Sequence, residues 1–542
     1  MKRRYAYSLL LLWLPFCVKA QQGGMPALVK NGNEVQLQVH GKPFIILGGE
    51  LGNSSSSSHA YMQKVWPRLK AMQLNTVLAP VYWELLEPEE GKFDFTLVDS
   101  LIINARKNHI KVVPLWFGTW KNSMSCYVPA WVKKDHKRFG RTLDKNGKSV
   151  EILSAFGANI LEADKKAFAA LLKHIKQIDA QAHTVIMVQV ENEVGMLSTA
   201  RETTPTANKL YQQEVPAALL AYLQQHKTEL VPELQQLWKQ QGYATQGNWE
   251  TVFGKSDATE ELFQAWYYAW FVNEVAAAGK AAYPLPMYVN AALMKSGQRP
   301  GDYPAAGPLP QVMDIWQAAA PAIDILAPDF YNPDTQYWCD LFTRRNNPLF
   351  IPEMRLDITC AAKVFYALGH YKGLGFSPFS IENANEQQAT YLQNSYHLLQ
   401  QLTPLITATA QKEGVLFDRK NTQQELVMGK YRITCKHDYT LGWSPGAKDS
   451  LWPVTGAIIL QTAPDEFWIA GMGVVCTFAN ADASVVTNIE SVEEGVFSNG
   501  KWIAGRRLNG DEDHQGRHIR IPGGEWSIQK VKLYNSPVSV QE

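Results

Sequence analysis

Cysteine is scarce in this sequence, with six among 542 residues, and neither C-x-x-C nor H-E-x-x-H occurs. The 12 histidines are scattered. Those gaps remove the usual spacing signals of a structural or catalytic metal site, and nothing calls for a cofactor. An excess of one charge sign is also missing. The formal net charge is +1, which leaves no reason to expect a nucleic-acid partner or an acidic interaction tail. After residue 20 there is no apolar run of about 18 residues, so no transmembrane segment is expected.

The amino-terminal segment has its own pattern. Lys2, Arg3 and Arg4 precede an apolar stretch over residues 8–18, and Val18-Lys19-Ala20 resembles an A-x-A cleavage site. Residues 1–20 therefore read as a secretory signal peptide, and the chain as exported to the periplasm or the exterior. Cys17 admits a rival reading as a lipoprotein anchor, ranked lower because bulky Phe16 precedes it. Cleavage leaves Cys126, Cys339, Cys360, Cys435 and Cys476, an odd number with at least one free thiol. Cys435 and Cys476 lie in one region and can pair, but all five are read as buried thiols.

What the sequence does have is an organising stretch at residues 185–195. It opens as a nearly unbroken apolar, β-branched run, the composition of a strand buried on both faces. It then turns polar at Glu191, Asn192 and Glu193. Burying bare carboxylates costs on the order of several kcal/mol each, so carboxylates at a strand's carboxyl end read as lining a reachable site. Residues 348–355 repeat the form, ending in Glu353 with Arg355 just beyond. Glu193 and Glu353 are the candidate catalytic pair. One carboxyl kept protonated and one kept ionised is the equipment for cleaving a glycosidic bond. Arg355 is expected to help hold Glu353 ionised.

Residues 44–47, 76–83, 111–117, 184–190, 287–290, 323–330, 349–351 and 373–379 read as eight strands alternating with helices, including helices at 97–108 and 163–178. That pattern predicts an α/β fold, a (β/α)8 barrel spanning residues 21–408, with a doubly wound sheet as the rival. Residues 203–282 are too long for a plain crossover and read as a helical insertion. The serine run at 54–58 reads as a loop at the mouth of the site. Residues 409–542 switch to short alternating segments, predicting a smaller all-β sandwich. Strand ends supply candidate substrate-binding residues: Glu50, Tyr82, Trp116, Trp120, Asn192, Asn290 and Tyr331. Trp116 and Trp120 are read as faces for a sugar ring. Glu84, Glu87, Glu89 and Glu90 read as a solvated turn.

Residues 189–195 closely resemble the acid/base motif of the β-galactosidases of glycoside hydrolase family 35. Residues 82–95 resemble a turn shared by families 35 and 42, both in the clan of retaining (β/α)8 enzymes. The insertion with Trp238 and Trp249 is more similar to family 42. The C-terminal region resembles the accessory domain of a bacterial subgroup intermediate between the two. The resemblance implies Glu193 as acid/base, Glu353 as nucleophile, Asn192 on the sugar 2-hydroxyl and Tyr331 donating to the nucleophile. It implies an exported exo-β-galactosidase acting on plant-type oligo- or polysaccharides, with carboxyl groups about 5–5.5 Å apart. Two departures stand out: Gly49-Glu50-Leu51-Gly52-Asn53 after the first strand, and Trp116-Phe117-Gly118 where the family carries a glutamate. They leave β-glucosidase, β-mannosidase and endo-glycanase activities open, and beyond those an inactive carbohydrate-binding barrel.

Overall fold

The computed structural model describes residues 24–538, apart from 145, 333, 512 and 514. The signal-peptide reading of residues 1–20 and the rival reading of Cys17 lie outside the described residues. Eight parallel strands close into a barrel: β1 (Ile46–Glu50), β2 (Thr76–Tyr82), β3 (Lys111–Lys121), β4 (Val188–Asn192), β5 (Met287–Ala292), β6 (Ile325–Phe330), β7 (Ile351–Met354) and β8 (Gly375–Pro378). All eight fall where the apolar runs place them. Closure, not a doubly wound sheet, is settled by the pairing of β8 with β1.

Alternation along each strand divides two cores. Ile46, Leu78, Leu115, Phe117, Tyr288 and Ala327 fill the barrel interior. Their neighbours face the surrounding helices, among them α1 (Ala158–Asp179) and α2 (Asp257–Ala282). The barrel floor is stoppered by Leu37 and Val39 from a three-stranded antiparallel ribbon at Ala27–Asn31, Glu34–Val39 and Lys42–Phe44. His40 and Gly41 both take positive φ there, the requirement of a two-residue hairpin turn. The helical insertion is present, with helices at Pro205–Tyr211, Ala217–Gln225, Pro232–Gln240 and Trp249–Phe253. Its last helix, α2, packs along α1 and serves as a barrel helix. The serine run forms a single turn at Ser55–Ser57. Ser56 Oγ donates to Pro80 O at 2.6 Å, and Ser58 caps the helix His59–Ala71.

The carboxyl-terminal region is all-β, built from β9 (Lys412–Phe417), β10 (Gln423–Met428), β11 (Tyr431–His437), β12 (Thr455–Ala463), β13 (Glu466–Asn480), β14 (Val485–Ser498), β15 (Lys501–Arg507) and β16 (Ile519–Pro537). The layers expected of a sandwich are one continuous hydrogen-bonded antiparallel sheet that curls over its own core. The long strand β13 joins them: its first half pairs with β12, its second with β11, and β16 runs along its other edge. The bend falls at Gly473, φ 64°, where the register shifts, as a β-bulge produces. Cys435 and Cys476 face each other as thiols across β11 and β13, with sulfurs 3.1 Å apart. Cys126, expected to be buried, is exposed.

The sheet seats on the helix that follows β7, α3 (Cys360–Gly369), with almost no side chain between them. A Cβ on Gly369 would meet Glu413 O at 2.7 Å, and one on Gly414 would meet backbone atoms of Phe365, Tyr366 and His370 at 2.9 Å. A further helix, α4 (Glu386–Ala408), adds Ser395 Oγ, which accepts from Trp526 Nε1 at 2.8 Å. Backbone cannot step aside as a side-chain tip can, so overpacking here is costly. Gly414→Ala should destabilise the chain by about 1–3 kcal/mol and lower its calorimetric melting temperature. Gly140→Ala, whose Cβ would meet nothing within 4 Å, should leave the melting temperature where it is.

Candidate active site

β4 carries the site's first residues and leaves the strand abruptly. Glu191 has φ 60° and Glu193 φ 44°, a region that costs a residue with a Cβ about 1–2 kcal/mol. Fixed bonds hold the strain. Glu193 N donates to Asn290 Oδ1 at 3.0 Å, and Glu191 Oε2 accepts from Trp120 N at 2.7 Å. The turn also breaks strand alternation, so the two glutamates part. Glu193 goes into the mouth, while Glu191 is buried beside Asp164 of α1. Asp164 accepts from Trp116 Nε1 at 2.8 Å and Thr119 N at 3.1 Å. Burial and then the Asp164 charge push the Glu191 carboxyl well above the usual range. This pair braces residues 116–121 from behind. Gly118 is needed there, because a Cβ would lie 2.3 Å from Trp116 Nε1 and 2.7 Å from Glu191 Oε1.

Glu353 ends β7, in register with Asp329 of β6. Tyr331 donates its hydroxyl to Glu353 Oε1, and Asn122 donates its side-chain amide to Glu193 Oε2. Asn290 links the two halves, since its Nδ2 also donates to Asp329 Oδ2 at 2.6 Å. Glu50 closes the ring from β1, fully buried against Glu353. The mouth therefore holds four carboxyl groups, Glu50, Glu193, Asp329 and Glu353. The cation acting on three of them is Lys121, whose charge lowers the pKa of Glu50, Glu193 and Glu353.

Four buried acids cannot all ionise around one ammonium. Burial, reinforced by Glu353, raises Glu50 well above the carboxylate range, and burial with Glu353 and Glu193 does the same to Asp329. Burial also raises Glu193. Glu353 is pushed up to about 7, first by burial and then by the charge of Glu193, against the opposing pull of Lys121 and the Tyr331 hydroxyl. The set can thus hold a proton and a negative charge side by side near neutral pH, which is the division of labour acid/base chemistry requires.

Several polar atoms at this mouth are buried and unspent. Both amide atoms of Asn192 and the Tyr288 hydroxyl make no hydrogen bond to a described residue, while Glu50 meets Glu353 and Asp329 meets Glu193 as carboxyl–carboxyl contacts. Leaving a buried polar group unmade costs about 1–3 kcal/mol. Buried polar groups with no protein partner are taken up by ordered water or by a polar ligand.

Two expected site residues do not belong here. Trp116 and Trp120 are fully buried in the helix layer. Trp116 packs on Trp83 and Phe168, and Trp120 on Tyr268 and Phe271. They occupy outward positions on β3, so neither offers a face to a sugar. Tyr82 does reach the interior, but its hydroxyl lies 3.0 Å from Ser56 Oγ. Glu87, expected in solvent, is buried and accepts from Trp83 Nε1 at 2.8 Å and Gly91 N at 2.7 Å. Arg355 is exposed, its guanidinium 5.7 Å from the Tyr331 ring centre. The cation that lowers Glu353 is Lys121 instead. Lys121 and Asn122 leave no signal in the sequence. Tyr288 and Asp329 stand in the strand-end stretches 288–290 and 327–332, with no role of their own read for either.

Residues 36–273 match the model of the glycosyl hydrolases of family 35, and residues 392–520 that of a domain of unknown function, DUF5597. The chain is a (β/α)8 barrel protein that is similar to family 35 over residues 36–273. It is 27% identical over 202 residues to beta-galactosidase-1-like protein 3 of Homo sapiens, covering 36% of this chain and 28% of that protein. It is 29% identical over 163 residues to a beta-galactosidase of Xanthomonas manihotis, covering 29% and 24%. The chain thus spans about a quarter of the length of these curated relatives. A solved beta-galactosidase from Bacillus circulans sp. alkalophilus superposes with a TM-score of 0.47 at 14% identity, over 68% of this chain and 57% of that one.

Two outcomes follow from the electrostatics. Lys121→Met removes the charge that lowers Glu353, so the acid limb of a kcat/KM–pH profile should move to higher pH by about one unit or more. Glu353→Gln should show a stability signature. A carboxyl raised from 4.5 to about 7 keeps its proton in the folded state across that window. Parent stability therefore falls as pH rises through it. The variant lacks this loss, and its advantage in melting experiments should grow between pH 5 and pH 8, towards a ceiling on the order of 3 kcal/mol.

Proposed function

We propose that the protein is a retaining exo-β-glycosidase, with terminal β-galactosyl units as its substrate and Glu193 and Glu353 as its working carboxyls. The observation that carries this is their meeting at one barrel mouth. Glu193 follows the end of β4 and Glu353 lies on β7, each has its own side-chain donor, and the two carboxyls interact closely enough that ionising one disfavours ionising the other. Galactose as the sugar is supported by the beta-galactosidase names of the relatives. Export, and plant-type polysaccharide as the natural substrate, are part of the proposal and rest on the sequence.

In the first step Glu353 attacks the anomeric carbon, and the carbon–oxygen bond to the leaving group breaks. Glu193 gives its proton to the departing oxygen. In the second step Glu193, now ionised, takes a proton from water as the water oxygen bonds to the anomeric carbon and releases Glu353. Two displacements retain the configuration. Tyr331 steadies the attacking carboxylate, and Asn192 takes a sugar hydroxyl, a role its unpartnered amide supports. Glu50 and Asp329, both favoured as neutral acids, offer hydroxyl donors rather than further negative charge.

Hydrolysis of a panel of nitrophenyl glycosides tests the reading, with the galactoside expected to be the best substrate. A preference for the glucoside or mannoside would move the assignment within the same clan. Glu353→Gln should lower turnover by on the order of 10³–10⁴-fold or more. Glu193→Gln should cost about 10²–10⁴-fold on poor leaving groups and less on dinitrophenyl. NMR of the first-formed sugar should give the β-anomer. Release of the α-anomer first would overturn the double displacement.

A further inference from the structure

A cleft of about 670 Å³ runs between the barrel mouth and the carboxyl-terminal sheet. Its barrel wall includes Tyr331, Met354 and Arg355, at and just beyond the ends of β6 and β7. Its other wall comes from residues 416–424 and Val454, all inside the span that matches the domain of unknown function. Tyr331 belongs to both places. Its hydroxyl is on Glu353, yet 41% of the residue is exposed and it lines the cleft. The cleft therefore comes up to the side chain that hydrogen-bonds Glu353. Its volume falls inside the range of about 300–1,000 Å³ typical of ligand sites, which favour domain interfaces.

The chemistry of the walls identifies the ligand class. The side-chain amides of Gln336, from the barrel, and Gln424, from β10, bond to none of the described residues and line opposite sides. Planar amides beside an exposed aromatic ring suit hydroxyl groups and the apolar face of a pyranose. The charges in the walls nearly cancel. Asp334, Asp357 and Asp418 stand against Arg355 and Lys363. Each aspartate spends an oxygen on backbone N–H groups, of Tyr337, Thr359 and Asn421 respectively. Such a lining favours a neutral glycan over a polyanion.

We propose that this cleft binds further neutral sugar units of the substrate, outside the residue being cleaved, and that the carboxyl-terminal sheet exists in part to form its second wall. The proposal rests on the glycosidase reading above and adds the place where the chain beyond the cleaved unit is held, and the part the carboxyl-terminal sheet has in holding it.

The test uses the full chain. The probes are 4-nitrophenyl β-galactoside and a galactose-terminated neutral tetrasaccharide. Gln336→Trp fills the cleft from an exposed position and Gln424→Trp from a half-buried one on the other wall, so a folding defect in one leaves the other informative. Each should lower the ratio of kcat/KM on the tetrasaccharide to that on the nitrophenyl galactoside about tenfold, equivalent to about 1.4 kcal/mol. An unchanged ratio in both variants overturns the proposal. Should neither probe be hydrolysed, the glycosidase reading fails, and calorimetric titration with the tetrasaccharide decides the cleft separately. Affinity weakened about tenfold by either substitution supports it, and equal affinity in parent and variants overturns it.

Discussion

Four carboxyl groups gathered around one ammonium is the constraint on which the rest of the structure depends. Such a cluster opposes folding, since every ionised acid beyond the first repels its neighbours in a medium that screens poorly. The protein handles it by dividing roles. Glu50 and Asp329 are driven towards the neutral form, while Glu353 keeps a hydroxyl donor and the pull of Lys121. A closed barrel allows this because strands far apart in sequence bring their carboxyl ends to one rim, with a packed apolar interior beneath. The instability concentrated at the rim is the kind that function requires and that a bound polar ligand relieves.

Lys121 owes its place to a second buried acid pair. Glu191 and Asp164 sit behind β3, and their bonds to Trp116, Thr119 and Trp120 extend that strand four residues beyond the expected Phe117. The extension brings Lys121 and Asn122 to the mouth. Trp116 and Trp120 are then brackets that hold the cation in place from the helix layer. The family's third-strand glutamate is absent from residues 116–118, and this strand meets the mouth with a cation and an amide instead.

The carboxyl-terminal sheet acts on the same rim from outside. Its first strand and its neighbour lie backbone to backbone on α3, the helix that follows Glu353. Glycine at 369 and 414 permits that approach, and the contact fixes the wall that faces Tyr331 and Arg355. Barrel mouth, helix and carboxyl-terminal sheet thus form one stack, in which the domain of unknown function is tied to the strand carrying Glu353.

Periodicity alone determined the eight strands and the closing all-β region, and it marked Glu193 and Glu353 as strand-end acids, because each rests on local pattern: apolar runs ending in an acid, and alternation broken by turn residues. The family resemblance at residues 189–195 points to Glu193, and the place of Glu353 at the end of the seventh strand to its partner. What local pattern does not carry is direction and depth. Glu191 and Glu193 look equivalent in the chain, yet left-handed backbone at both turns one behind the strand and the other into the mouth. Trp116 and Trp120 look like sugar platforms, yet strand parity sends them to the helices. The identity of the cation, Lys121 rather than nearby Arg355, was decided by the barrel's closure. An electrostatic partner is fixed by distance in space, and residues 121 and 353 become neighbours only after the eight strands have met.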